Sequence, residues 1–155
     1  MRLPEIEAVN TLLTDLLGRE VKVTRSETGP VIATVASYID DEGSLLAVVG
    51  CDLGLTCSAG AALGLVPRGA VDDAISDGQM DDVLYDNANE IFNIGAQLWQ
   101  HSTGLHTRWR ESAARGPYSA DVQSLLKDES ADRLYLHVQI PGYPDGYLSL
   151  ISPMR

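Results

Sequence analysis

The sequence has little positive charge and no long apolar run. Its 155 residues carry 11 basic and 22 acidic side chains, a net charge of −11. Such a chain repels phosphates, which argues against nucleic acids and anionic membranes as partners and favours a basic or metal-bearing protein surface. No segment approaches the roughly 18 to 20 apolar residues of a membrane span, and the first ten residues lack the apolar core of a signal peptide. The expected location is the cytoplasm.

Cysteine is scarce too, and the few potential metal ligands are dispersed. Cys51 and Cys57 have the spacing of neither a redox pair nor a zinc knuckle, so both are predicted to be small core residues. The three histidines are scattered, without metal-ligand spacing. A hydrophobic content of 45% at this length fits one globular domain, residues 1–155, with its own core.

Helical and extended patterns alternate along the chain. The predicted helices are 4–17, 53–63, 80–101 and 120–126, and the predicted strands are 21–23, 31–39, 44–50, 106–111, 134–140 and 147–151. Asp52 is expected to cap the second helix, whose small residues suggest close packing, and Gly64 to close it. Hairpins separated by helices are typical of an α+β fold. We expect a mainly antiparallel sheet of about six strands, with a long central helix and further helices packed on one face.

Acidic residues crowd the approach to the long helix. They are Asp72, Asp73, Asp77, Asp81 and Asp82. Carboxylates near a helix N-terminus are stabilised by the helix dipole, so structure explains most of this acidity.

The long helix is predicted to have two opposed faces. At about 100° per residue, one face carries Leu84, Ala88, Ile91, Gly95 and Leu98, which should pack. The opposite face, called here the acid-amide stripe, carries Asp86, Glu90, Asn93 and Gln97. No Lys or Arg occurs from Asp81 to Trp99, although a solvated helix face usually mixes charges of both signs. Phe92 and Trp99 flank the packing face and are expected in the core.

Three residues of this stripe form the pattern Asp-x-x-x-Glu-x-x-Asn, through Asp86, Glu90 and Asn93. The pattern resembles the motif of the CheC, CheX and FliY family of chemotaxis phosphatases, which continues to a proline. Pro117 stands one residue beyond the family's spacing, which fits a loop insertion and weakens any role carried over to it. A single motif on the long helix, with hairpins on either side, is similar to CheX, whereas CheC carries two motif helices.

The resemblance implies an activity and roles for the stripe. Members of the family remove the phosphoryl group from the aspartyl phosphate of the response regulator CheY, whose own site holds Mg²⁺ and a Lys. Asn93 would then orient the attacking water and Glu90 would bind the regulator's Lys, with Asp86 and Gln97 as partner-binding residues. This chain would bind no cofactor, because the receiver domain supplies the Mg²⁺. Such chemistry depends mainly on positioning and charge stabilisation. CheX-type proteins pair through their sheets, so a homodimer is expected.

Other interpretations stay open at this point. Glu90 and Asn93 could be a merely solvated face, and the helix dipole alone could account for Asp86. The first helix repeats the spacing at Glu7 and Asn10, but with Leu3 where Asp or Ser would stand, so that pair is interpreted as a helix-terminal carboxylate and a solvated amide. Beyond the phosphatase, the alternatives are a noncatalytic adaptor for a receiver domain or flagellar-switch protein, and an orphan dimerising module. A CheD-like protein as a further partner is also left open.

Overall fold

The computed structural model describes residues 3–154 and folds them into five helices and six strands. The helices are α1 Ile6–Leu17, α2 Leu53–Gly64, α3 Arg68–Asp77, α4 Asp82–Thr103 and α5 Ala120–Lys127. The strands are β1 Lys22–Ser26, β2 Thr34–Ile39, β3 Leu45–Cys51, β4 Arg108–Ala114, β5 Asp132–Gln139 and β6 Gly146–Ser152. Within this range, no helix combines the length and the apolar character needed to cross a membrane.

The six strands form one sheet in the order β1-β5-β6-β3-β2-β4, and every neighbouring pair is antiparallel. Two of the pairs, β2–β3 and β5–β6, are the hairpins that the turn residues predict. The predicted α+β class with about six antiparallel strands is confirmed. Strands β1 and β4 form the two edges.

The main core lies between one face of the sheet and the helices α1 to α4. Its largest fully buried side chains include Trp99 of α4, Tyr38 of β2 and Leu136 of β5. Helix α5 differs, because it covers the opposite face. There Val122 and Leu125 pack on a smaller cluster formed by Val35, Val48 and Ile151. The expectation that the helices pack on one face therefore holds for four of the five.

Helices α2 and α4 approach each other closely, as the small residues of α2 suggest. A Cβ atom added at Gly60 would lie 2.1 Å from the carbonyl oxygen of Leu84 in α4. The predicted cap is also present, since the backbone N–H of Leu55 donates to Asp52 Oδ1 at 2.7 Å. Only glycine permits this contact, so Gly60 fixes where α4 crosses α2.

Helix α3 is absent from the predicted order, and its presence corrects the interpretation of the acidic cluster. Asp72, Asp73 and Asp77 belong to this separate, mostly exposed helix. Only the last two aspartates serve α4: Asp81 accepts from the backbone N–H of Leu84 at 3.0 Å, and Asp82 stands in the first turn. Helix α3 buries only Val71 and Ala74, too little apolar periodicity to show in the sequence.

The end of α2 also differs from the prediction. Gly64 is the last helical residue rather than the cap, and Leu65 takes the left-handed conformation with φ of 54°. Gly64 instead leaves room for α4, because a Cβ atom there would lie 2.3 Å from Asn87 Nδ2 in that helix. The cap is therefore Leu65, whose backbone N–H donates to the carbonyls of Ala61 and Ala62 in a conformation that leucine rarely adopts.

Candidate functional site

Helix α4 presents the acid-amide stripe to solvent. Opposite it, the predicted packing face is confirmed: Leu84, Ala88, Ile91 and Gly95 are buried, and Leu98 is half-buried. All four stripe residues are exposed. The helix ends at Gly104, whose φ of 74° supplies the left-handed cap. The geometry expected from the sequence is therefore present over the whole stripe.

A buried tyrosine fixes the rotation of α4 beneath the stripe. The hydroxyl of Tyr38 in β2 donates to the backbone carbonyl of Phe92 at 2.8 Å. Its ring packs against Trp99, with 6.3 Å between ring centroids, and Gly95 leaves room for the hydroxyl. Burial raises the pKa of Tyr38 far above its usual range, so the group remains a donor. The sequence does not single out Tyr38 as a positioning residue, because its setting is that of any buried residue in a strand.

The stripe has no partners within the described chain. The side chains of Glu90, Asn93 and Gln97 form no hydrogen bond or ion pair with another residue in 3–154. Asp86 interacts only electrostatically, with the side chain of the neighbouring Tyr85. The pKa of that tyrosine is raised mainly by burial, partly offset by a hydrogen bond from Asn89, with a further rise from the Asp86 carboxylate. The carboxylates and amides are thus free to meet groups from another molecule.

A shallow groove between α1 and α4 borders the stripe. Gln97 and His101 of α4 line it together with Glu7 and Asp15 of α1. These two acids extend the negative surface beyond the stripe. A cationic partner would therefore meet negative charge over a wider area than α4 alone provides.

The repeat on α1 does not form a second stripe. Glu7 is exposed in the groove, but Asn10 is half-buried on another side of the helix, beside Glu20 and Lys22. Its Oδ1 atom is buried without a hydrogen-bond partner in the structure. The interpretation of Asn10 as a solvated amide is therefore wrong. The pair shares the spacing of Glu90 and Asn93, but not their exposure.

Arg110 of β4 serves the face of the sheet that α5 covers. Arg110 of β4 donates to both carboxylate oxygens of Asp121 in α5, at 2.7 and 3.0 Å. This pairing holds the pKa of Asp121 well below its usual range. Pro117 follows a cis peptide bond in the exposed loop that leads from β4 to α5. Neither residue contacts the acid-amide stripe.

Other candidates from the sequence behave as core residues. Cys51 and Cys57 are unpaired and buried, and Phe92 and Trp99 lie in the main core, as expected. Within the described part of the chain, no three His, Cys, Asp or Glu side chains converge on a position that could hold a metal ion.

Comparisons with known proteins relate this fold to the chemotaxis proteins. No protein-family model and no curated protein matches the sequence. Among solved structures, the FliM middle domain from Helicobacter pylori superposes with a TM-score of 0.69 at 7% identity, over 96% of this chain and 84% of that one.

Two further structures are similar over nearly the whole chain. One is the CheX–CheY–BeF₃–Mg²⁺ complex from Borrelia burgdorferi, with a TM-score of 0.54 and 12% identity over 96% of this chain and 94% of that one. The other is FliY from Thermotoga maritima, with a TM-score of 0.56 and 15% identity over 95% and 83%. At these identities the likeness is one of fold, and the chain has a fold like that of CheC, CheX and FliY.

Proposed function

We propose that this protein is a phosphatase for the aspartyl phosphate of a CheY-type response regulator. The observation that carries the proposal is the pair Glu90 and Asn93, one helical turn apart, exposed, and unpaired within the described chain. The pair stands on a fold similar to CheX, and a CheX has been solved in complex with a CheY. The substrate would be the phosphorylated receiver domain, in the cytoplasm.

In this proposal Asn93 orients the attacking water. Its Oδ1 atom accepts a hydrogen bond from the water, while its NH₂ group donates to a phosphoryl or backbone oxygen and holds the side chain in place. The water oxygen forms a bond to phosphorus as the bond from phosphorus to the aspartate oxygen breaks. The products are inorganic phosphate and the restored carboxylate. An amide suffices because the loose transition state needs positioning more than a strong base.

Glu90 would engage the lysine of the receiver's own site. A carboxylate with no partner among residues 3–154 avoids the cost of breaking a pair there before binding. The Mg²⁺ would be supplied and held by the receiver domain. Asp86 and Gln97, which lie on the same stripe, would contact the receiver on either side of the reacting pair. The negative groove beside them would speed the encounter with a cationic site.

The test is the loss of radiolabel from an aspartyl-phosphorylated CheY-type receiver with Mg²⁺. Wild type is expected to accelerate the loss, Asn93→Ala to abolish the acceleration while part of the binding survives, and Glu90→Ala to weaken binding. Asp73→Ala removes an exposed acid of α3 away from the stripe and is the matched control, expected to behave as wild type. Equal rates with and without the protein, for several receivers, would contradict the proposal.

A second candidate is a noncatalytic adaptor that binds a receiver domain or a flagellar-switch protein through the same stripe. The observation that favours it is the superposition on the FliM middle domain from H. pylori, whose TM-score of 0.69 exceeds the 0.54 of CheX from B. burgdorferi. One such FliM was solved in complex with FliG. Binding of a phosphorylated receiver without any change in its rate of dephosphorylation would favour this candidate.

We also propose a homodimer that pairs through the sheets. The two edge strands, β1 and β4, are available for such pairing in a single copy of the chain. Sedimentation of the purified protein distinguishes a dimer from a monomer directly.

A further inference from the structure

The core between α1, α4 and the sheet contains an apolar cavity of about 70 Å³. Its walls come from α1, α2, α4 and three strands, and they include Val9, Val49, Leu55, Ile91 and Trp99. The side chains around it are buried except for two, Leu12 of α1 and Leu98 of α4, which are half-buried. The cavity therefore has its mouth between these two leucines.

The same two leucines also line the groove between α1 and α4, where they form an apolar floor. The rim of the groove carries the exposed carboxylates of Glu7 and Asp15. Neither acid forms an ion pair or hydrogen bond with another residue in 3–154, and within that range no Lys or Arg lines the groove. One continuous surface thus has an acidic rim, an apolar floor and an apolar cavity beneath the floor.

The cavity is suited to an aliphatic group. The hydroxyls of Tyr38 and Thr56 at its wall already donate to backbone carbonyls within the chain, so a polar group that entered would lose its hydration without gaining a partner. The volume is roughly half of one that holds benzene, which corresponds to about four carbon atoms. An empty cavity destabilises the fold, because the atoms around it lack van der Waals contacts. A group that fills this one restores those contacts and gains about tenfold in affinity.

We propose that the groove binds a basic amphipathic helix of a partner protein, which inserts one aliphatic side chain between Leu12 and Leu98 into the cavity. The acidic rim selects the basic flanks of such a helix, and the apolar floor selects its hydrophobic face. The lining residues of α1 extend from Glu5 to Asp15, about 15 Å along the helix axis, which matches about three turns of a docked helix.

Entry to the cavity requires only a small movement of α1. This helix packs through Val9, Leu13 and Leu17, and aliphatic packing tolerates small adjustments. Helix α1 has no part in the proposed phosphatase reaction. The docking site and the phosphatase can therefore fail separately.

The experiment measures the Kd of the protein for a labelled synthetic peptide of lysine and leucine that forms an amphipathic helix. A second peptide has alanine in place of every leucine and keeps every lysine. The leucine peptide is expected to bind more tightly by about tenfold or more, because only its side chains fill the cavity. Equal Kd values for the two peptides, or no binding by the leucine peptide, overturn the proposal.

A variant with a filled cavity tests insertion directly. Val9→Leu together with Val49→Ile adds one methylene group at each of two places on the cavity wall, and each new residue suits its helix or strand. The Kd for the leucine peptide should rise about tenfold and that for the alanine peptide should stay unchanged. The urea midpoint should equal or exceed that of wild type, because the added groups occupy empty space. A lower midpoint, or an unchanged Kd for the leucine peptide, overturns the proposal.

Charge variants test the rim. Glu7→Gln together with Asp15→Asn should raise the Kd for both peptides about tenfold at low salt. The matched control, Asp73→Asn with Asp77→Asn, removes the same charge from exposed positions on α3 and should leave both Kd values unchanged. Equal losses in the two double variants would show a diffuse attraction and overturn the proposal. A wild-type dimer that dissociates on binding the leucine peptide assigns the groove to a second copy of this chain and also overturns it.

Discussion

Helices α1 and α4 carry the same Glu-x-x-Asn spacing in two different settings. On α4, Glu90 and Asn93 stand exposed on one stripe, preceded by Asp86. On α1, Glu7 is exposed in the groove while Asn10 is half-buried with an unsatisfied oxygen. The spacing alone therefore does not make a site. The difference lies in which side of each helix the neighbouring elements leave exposed to solvent.

The two helices also differ in how they are held. Helix α4 is fixed by a glycine contact with α2 and by the hydrogen bond from Tyr38. Helix α1 packs through the aliphatic residues Val9, Leu13 and Leu17. Aliphatic packing tolerates small adjustments, whereas a close backbone contact and a buried hydrogen bond do not. A surface that must place an amide against a reacting group would need the second kind of support.

The largest expected effect comes from breaking the support of α4. Gly60→Ala would place a methyl group within 2.1 Å of the Leu84 carbonyl, so we expect a loss of about 3 kcal/mol in the free energy of unfolding. Urea denaturation measures it. Gly69→Ala in α3 is the matched control, because nothing lies within 4 Å of its Cβ position. It should gain about 0.5 kcal/mol from helix propensity. A stable Gly60→Ala protein would contradict the close-packing account.

A smaller effect is expected from exchanging the two glutamates. Under the proposed function, Glu90→Gln should raise the Kd for an activated receiver about tenfold, because it would remove the charge proposed to meet the receiver's lysine. Glu7→Gln should raise it less than about threefold, since Glu7 acts only through a screened field. Titrations at two salt concentrations measure both, and the salt dependence should be weaker for Glu90→Gln than for wild type. Equal losses in both variants would mean that the two helices act as one diffuse negative surface.

The smallest effect separates the two asparagines. Asn10→Ala removes a buried oxygen without a partner, so we expect a gain of about 1 kcal/mol in the free energy of unfolding and unchanged phosphatase activity. Asn93→Ala should gain only helix propensity, about 0.5 kcal/mol, and lose the activity. Urea denaturation and the label-loss assay check the pair. A loss of stability in Asn10→Ala would show that the amide makes a favourable contact.

The sequence predicts α4 and its stripe well, because the apolar face recurs at regular helical spacing from Leu84 to Leu98, and the observed helix Asp82–Thr103 closely matches the predicted 80–101. It does not predict α3, whose only buried residues are Val71 and Ala74. It places the stripe in solvent correctly because Asp86, Glu90, Asn93 and Gln97 lie opposite the apolar face. The chemistry assigned to that stripe stays a prediction.

The features that the sequence does not predict arise from contacts between distant segments. Gly64 lies within the contact of α2 with Asn87 of α4, and Leu65, not Gly64, forms the left-handed cap. Asn10 is half-buried because α1 packs beside the start of β1, near Lys22. From the local sequence alone, a glycine at a helix end is predicted to be the cap, and an asparagine is predicted to be solvated. Tertiary packing overrides both assignments here.

The hydroxyl of Tyr38 affects how precisely α4 is held in its rotation about the helix axis. A side-chain tip on α4 lies roughly 6 Å from the helix axis, so a turn of the helix by about 10° would move Asn93 by about 1 Å. A displacement of that size can cost a reaction about a hundredfold in rate. The hydrogen bond to Phe92 resists such a turn from inside the core. A residue that no partner can touch thereby sets how accurately the surface amide can be aimed.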